Sequence, residues 1–470
     1  MIQFGTGGWR ALIGEDFTKQ NVQWLTQAVA SIIQTRGQAA QGVVVGFDRR
    51  FLSDKAARWV AETLAGNGVR VFFMERIAPT PLVMYTVKQL GAPFGAAVTA
   101  SHNPADYNGI KLFTAGGRDA TEEITALVEE EIARISPQDI RSIPFDAGLR
   151  NGLIQPVDLF NEYIDTILGM IDTQAIRERK LKVILDPMYG VSKTSLQTIL
   201  ITTRCELEII HDRHDTLFGG RLPSPNAITL QHMQNMVVER GYDIGIGTDG
   251  DADRLGISDE RGNFIHPNDI LAILYYYLMK YKGWRGDVVR NVATTHLLDR
   301  IAEGFGQHCH EVPVGFKHIS AKMEETDALI GGESSGGLTI RGHIKGKDGV
   351  FAASLLIELL CVTGKHLSDL LDEIHRQYGN YAMVEGNYAF SQDVKESLHD
   401  RLFIRREYPR FGQKIAQMRF EDGMKVYFAN GGWIICRFSG TEPLLRIFCE
   451  MEDKAHAEKT LRTMTSFLGL

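Results

Sequence analysis

The chain has 470 residues, a formal net charge of −7, 44% hydrophobic and 23% charged residues. A length of this order makes about three or four domains, each with its own core. The acidic balance and the lack of any long Lys/Arg run exclude a nucleic-acid-binding face, so an anionic ligand must be held by local basic residues.

From the N-terminus, short apolar runs alternate with amphipathic stretches. Residues 42–47 read as a buried strand that stops at Asp48, residues 54–65 as a helix, and residues 70–74 and 94–99 as further strands. The texture restarts at residues 181–185, 207–210 and 242–246, and again at 287–292, 311–314 and 328–330. From about residue 377 it changes: strand-like runs at 426–428, 433–437 and 445–449 precede a closing helix from Asp453. Strands alternating with helices predict α/β units. The expectation is three related α/β domains (1–145, 146–258, 259–375) and a smaller C-terminal α+β domain (376–470).

Cys205, Cys309, Cys361, Cys436 and Cys449 are scattered, odd in number and form no Cys-x-x-Cys pair, which predicts neither a disulfide framework nor zinc and fits a reducing compartment. His308-Cys309-His310 has no distant partner pair and reads as structural. No secretory pattern opens the chain, and the longest apolar stretch, 351–362, is broken by Glu358 and falls short of the about 20 residues that span a bilayer. A cytoplasmic protein without a membrane partner, monomeric or homodimeric, is expected.

Four loops carry chemistry. Thr99-Ala100-Ser101-His102-Asn103-Pro104 follows an apolar strand, where α/β proteins place reactive groups. It also reads as a plain hydrogen-bonded turn, and it lacks the Gly-x-Ser-x-Gly of serine hydrolases. Asp249, Asp251 and Asp253 alternate along Thr248-Asp249-Gly250-Asp251-Ala252-Asp253-Arg254 and so converge on one side. At about 4 Å and an effective dielectric near 20, each like-charge pair costs about 4 kcal/mol, so the loop needs a cation, protons or full solvation. Oxygen ligands select Mg²⁺ or Ca²⁺. An EF-hand competes, with Glu260 at its twelfth position, but Arg254 at the sixth position, which needs Gly, and the strand-like segment before the loop speak against it. Gly331-Gly332-Glu333-Ser334-Ser335-Gly336-Gly337 offers acceptors and donors suited to sugar hydroxyls, or a flexible loop. Arg437-Phe438-Ser439-Gly440-Thr441-Glu442-Pro443, with Arg446, could wrap a phosphate or be a surface arginine pair.

Together these loops, with Phe4-Gly5-Thr6-Gly7-Gly8-Trp9-Arg10 and Asn108-Gly109-Ile110-Lys111, resemble the α-D-phosphohexomutase family in the family's own order. The resemblance implies four domains around a central cleft, with mixed sheets in the first three. It implies a phosphosugar mutase interconverting hexose 1-phosphate and hexose 6-phosphate through a phosphoserine at Ser101. Asp249, Asp251, Asp253 and the serine phosphate would hold Mg²⁺, and a bisphosphorylated hexose would serve as intermediate and activator. Arg10, His102, Lys111 and Arg254 would surround the transferring group, with Lys111 and His102 giving acid/base help and Arg254 stabilising charge. Lys317, Glu333 and Ser335 would contact the sugar; Arg437, Ser439, Gly440, Thr441 and Arg446 would hold the phosphate at rest. Gly337 stands where phosphoglucosamine mutases usually carry His, and Ser334 where they carry Gln. These departures count against an amino sugar without separating glucose from mannose; glucose is the favoured sugar, with dual glucose/mannose activity next. The alternatives are a phosphoglucosamine mutase, or a sugar-phosphate phosphatase or regulatory binding protein.

Overall fold

The computed structural model describes residues 2–5, 8–438 and 444–470. The chain divides into two compact units, Met1–Ile270 with Ser335–Ser368, and Leu271–Ser334 with Asp369–Leu470.

The first unit is built on two mixed sheets. One runs in the order Trp9–Leu12, Tyr107–Thr114, Phe94–Val98, Val43–Phe47, Val71–Met74, Ile154–Val157, with Arg118–Asp119 added to Tyr107–Thr114. Its last four strands are parallel, and its first two pair antiparallel. Val43–Phe47 and Phe94–Val98 are buried along their whole length. Continuous burial is what parallel strands covered on both faces require. The other sheet runs Phe264–Ile265, Leu255–Ser258, Ile244–Thr248, Lys182–Asp186, Glu206–Ile209, its last three strands parallel and its first three antiparallel. The antiparallel strands are additions to the expected pattern. They are short or carry Gly and Lys, so their apolar signal is weak.

The apolar stretch near residue 355 is the helix Gly349–Thr363, buried on all sides from Gly349 to Leu360 and capped by Asp348. Burial all round explains why the run shows no polar face. Among the described residues no single helix is long and apolar enough to cross a membrane.

The second unit holds the parallel strands Cys309–Val312, Val288–Asn291 and Ile330–Gly332. It also holds a five-stranded antiparallel sheet in the order Ala382–Ala389, Leu444–Met451, Trp433–Phe438, Met424–Phe428, Ile415–Arg419. The closing helix is Lys454–Leu468, with Asp453 as its N-cap. His310 lies 2.8 Å from Asp287, which also accepts from the His308 amide, so the His-Cys-His tract is tied into the sheet edge. All five cysteines are free.

Where the two sheets of this unit meet, the contact is charged. Buried Arg290 forks onto Asp299 at 2.7 and 3.0 Å and reaches Glu311 at 2.6 Å. Glu311 accepts from Lys425 at 2.7 Å and Tyr427 at 2.5 Å, both on Met424–Phe428. Burial pushes the Glu311 carboxyl up, but His296, Arg290 and Lys425 outweigh it and hold it well below the ordinary range. Removing one partner of such a cluster strands the others, so Arg290→Met is expected to lower the unfolding free energy by about 3 kcal/mol in a denaturant titration. Glu311 is ionised and stabilising above its ordinary pKa and loses that contribution as the pH falls. The wild-type advantage should therefore shrink below about pH 4.

Candidate active site

The serine loop is shaped by residues far from it in sequence. Asp48, at the end of Val43–Phe47, accepts from Thr99 Oγ1 at 2.6 Å and from Ser53 Oγ at 2.7 Å. Arg50 donates to the carbonyls of Ser101, Asn103, Pro104 and Tyr107 at 2.7, 2.6, 2.7 and 3.1 Å. The result is a tight turn with Ser101 at φ 53°, a left-handed conformation that costs a non-glycine residue energy. No motif marks Asp48 or Arg50 in the sequence beyond a buried strand that ends at an aspartate.

Ser101 is fully buried, and its Oγ donates to Asp249 Oδ2 at 2.8 Å. Asp249, Asp251 and Asp253 lie on the turn after Ile244–Thr248, all buried. One oxygen from each falls within 4.8 Å of the others. Lys111, from the middle of Tyr107–Thr114, donates at 2.6 Å to both Asp251 Oδ2 and Asp253 Oδ2. Thr80 Oγ1 donates to Asp251 Oδ2 at 2.6 Å, and the Arg254 amide to Asp249 Oδ1 at 3.1 Å. Lys347 places Nζ 2.9 Å from Asp253 Oδ2. Lys347 was not a sequence candidate, because nothing in Gly346-Lys347-Asp348-Gly349 marks it as more than a loop lysine.

The remaining oxygens decide whether the site suits a metal. Asp251 Oδ1 and Asp253 Oδ1 are buried with no hydrogen-bond partner. Buried carboxylate oxygens are costly when unpaired. Three carboxylates and a hydroxyl make an all-oxygen donor set that Mg²⁺ accepts. The residues present fit the ion.

Electrostatics assign protonation states. Burial, then Asp251 and Asp253, raise Asp249 well above the ordinary carboxylate range. Burial pushes Asp253 the same way, but Lys111, Lys347 and Arg254 pull it well below. Burial pulls Lys111 down, yet Asp251 and Asp253 together push it above its ordinary value, so it is a fixed cation rather than a base. His102 Nδ1 lies 3.4 Å from Ser101 Oγ. Arg254 first, then burial and Arg10, drive His102 well below its ordinary pKa, so it is neutral near pH 7. Arg10, on Trp9–Leu12, and Arg254 both carry a buried Nε without a hydrogen-bond partner. Ser335 belongs to this unit by chain position and is exposed.

In the second unit, Glu333 follows Ile330–Gly332 and accepts from Asn291 Nδ2 at 3.1 Å and from the Gly315 amide at 3.2 Å. Gly315 caps the helix Phe316–Thr326 that carries Lys317. Arg437 and Arg446 are direct cross-strand partners on Trp433–Phe438 and Leu444–Met451. Arg437 Nε also donates to Asp422 at 2.8 Å. Facing like charges are unfavourable unless an anion joins them. Ser439, Gly440 and Thr441 lie outside the described residues, as do Thr6 and Gly7.

A buried serine beside an oxygen-rich cation site and several fixed cations is an arrangement suited to phosphoryl transfer. Comparison with known proteins agrees. Residues 1–139, 161–262, 266–378 and 391–465 match, in that order, the α/β/α domains I, II and III and the C-terminal domain of phosphoglucomutase/phosphomannomutase. A phosphoglucomutase/phosphomannomutase of Thermococcus kodakarensis is 30% identical over 97% of this chain and 96% of its own. A phosphoglucosamine/phosphogalactosamine mutase of Sulfurisphaera tokodaii is 28% identical over 96% and 95%. The crystal structure of a Thermus thermophilus protein assigned as a phosphomannomutase superposes with TM-score 0.86 at 29% identity, covering 100% of this chain and 99% of that one. The chain belongs to the phosphoglucomutase/phosphomannomutase family, the α-D-phosphohexomutases, and is an enzyme of that family.

Asp251→Asn is expected to weaken Mg²⁺ binding by about 10–100-fold or more in calorimetry while leaving the circular dichroism spectrum unchanged. Burial and the charges of Asp251 and Asp253 push Asp249 upward, so Mg²⁺ competes with a proton for its carboxylate. Binding should tighten as the pH rises from about 5 to 8.

Proposed function

We propose that this enzyme interconverts hexose 1-phosphates and hexose 6-phosphates through a phosphoserine at Ser101 and a bisphosphorylated hexose. The observation that carries the reading is the Ser101 hydroxyl, sealed from solvent against Asp249 of an acidic loop on which Lys111, Arg10 and Arg254 act electrostatically. Asp249, Asp251, Asp253 and Ser101 would hold Mg²⁺. When bound, the ion would neutralise charge on the transferring phosphoryl oxygens.

The chain's own residues supply the remaining parts. The Ser101 Oγ–P bond breaks as a sugar hydroxyl oxygen forms a new bond to phosphorus; neutral His102, 3.4 Å from Ser101 Oγ, takes the proton that the hydroxyl releases and passes it to the departing serine oxygen. The bisphosphorylated sugar then gives its other phosphoryl group back to Ser101 Oγ, and the serine proton returns through His102 to the sugar oxygen that is set free. Lys111, Lys347 and Arg254 balance charge during both transfers, and burial of Ser101 excludes the water that would hydrolyse phosphoserine. Glu333, Ser335 and Lys317 would contact the sugar, and Arg437 and Arg446, with Ser439, Gly440 and Thr441, the resting phosphate.

Gly337 favours a neutral sugar, glucose or mannose. The relatives' names support an amino sugar about equally, with the Sulfurisphaera tokodaii protein an instance. A coupled assay with Mg²⁺ and a trace of bisphosphosugar, run on glucose, mannose and glucosamine 1-phosphates, separates them by which 6-phosphate forms. Ser101→Ala should lower turnover by roughly three orders of magnitude or more. Undiminished turnover in that variant, or inorganic phosphate as the main product, would overturn the mutase reading.

A further inference from the structure

Lys347 reaches the acidic loop by a route that the loop itself does not supply. The segment carrying it, residues 341–348, is pinned at several points within the first unit. Lys88 Nζ donates to the His343 carbonyl at 2.7 Å, and Thr339 Oγ1 to the Ile344 carbonyl at 2.6 Å. At the centre is a buried trio. Asp348 Oδ2 accepts from Tyr163 OH at 2.8 Å and lies 2.7 Å from His343 Nε2. Its Oδ1 accepts from the Val350 and Phe351 amides, both at 2.9 Å, and so caps the helix Gly349–Thr363. Tyr163 is 0%, Asp348 1% and His343 4% exposed. Burial, then the charge of Asp348, push the Tyr163 phenol well above its ordinary range, so it remains a donor.

Two close approaches tie this trio to the acidic loop. The Gly349 amide donates to the Ala252 carbonyl at 3.2 Å, and a Cβ on Gly349 would sit 2.8 Å from the Arg254 carbonyl oxygen. A Cβ on Gly337 would fall 2.2 Å from Lys347 Cδ. The absent side chain at position 337 is therefore the space through which the Lys347 stem runs to Asp253. Lys347 directly precedes Asp348 in the chain, so the trio fixes where the Lys347 stem begins and Gly337 fixes its track.

We propose that Tyr163, His343 and Asp348 form a positioning network that holds Lys347 on Asp253 and, through it, sets the charge balance of the acidic loop. Lys347 is the group that touches the loop; the three residues behind it act only through it. The inference rests on the mutase reading for its effect on turnover, but not for its effect on the carboxylates. Loss of the Tyr163 hydroxyl leaves Asp348 with one partner fewer, lets the segment relax and withdraws Lys347 from Asp253.

The test is a double-mutant cycle on the full chain with Tyr163→Phe and Lys347→Met. Mutase kcat and KM are measured, and Mg²⁺ affinity is measured separately by calorimetry. Lys347→Met should lower kcat by about 10–100-fold and tighten Mg²⁺ binding, because a cation competing for Asp253 is gone. Lys347→Arg should restore most of the kcat. Tyr163→Phe should lower kcat with KM unchanged, tighten Mg²⁺ binding in the same direction, and add nothing in the Lys347→Met background. Should Tyr163→Phe fail to fold, His343→Gln carries the same cycle. Losses that multiply in the double variant, or an unchanged Mg²⁺ affinity in the Tyr163 and His343 variants, overturn the network. Turnover that survives Ser101→Ala would instead overturn the mutase reading, and the Mg²⁺ titration reports on the network regardless.

Discussion

Three carboxylates held out of water on five consecutive residues constrain everything around them in the first unit. Asp249, Asp251 and Asp253 cannot all be ionised there without compensation, since each pair at close range costs about 4 kcal/mol even at an effective dielectric near 20. The fold compensates from several directions. A lysine is placed in the middle of a buried sheet strand, where a charged residue is otherwise rare. Thr80, at the start of a helix, donates to the same oxygen as Lys111. Lys347 arrives on a third segment, and Ser101 and the Arg254 amide satisfy the two oxygens of Asp249. What is left over, one buried oxygen each on Asp251 and Asp253, is the part that the protein does not satisfy by itself.

That division has a consequence for acid–base roles. Lys111 and His102 are equal candidates on residue type, yet their surroundings drive them apart. Lys111 sits against two carboxylates and is held charged; His102 sits near Arg254 and Arg10 and is held neutral. A fixed cation can stabilise a phosphoryl oxygen, and a neutral imidazole can accept a proton at pH 7. The same cluster thus yields two distinct functions without any difference in sequence context that would separate them beforehand.

What could be read from the sequence follows the same logic. The acidic loop and the serine loop are contiguous stretches, so their residue types and spacing are visible directly, and so are the central parallel strands, whose burial on both faces makes unbroken apolar runs. Asp48, Arg50, Thr80 and Lys347 are not visible, because each reaches the site from a segment with an ordinary local pattern and is recruited by tertiary packing. The short antiparallel strands Leu255–Ser258 and Phe264–Ile265 are missed for a related reason: a few residues beside a charged turn carry too little periodicity to register. Gly337 shows the difference most sharply. In the sequence it is a departure from an amino-sugar pattern, while in the structure it is the opening that Lys347 needs.

The second unit treats charge in the opposite way. Arg290, Glu311, Asp299 and Lys425 neutralise one another where its two sheets meet, so that cluster is complete as it stands. Arg437 and Arg446 do not neutralise each other: they are register partners of like sign on neighbouring strands, and the nearby carboxylate of Asp422 is also engaged by the Val314 amide. A balanced cluster stabilises a contact and asks for nothing further, whereas two arginines in register, with Asp422 on one and the Glu385 carboxyl near the other, keep like charges side by side on one sheet.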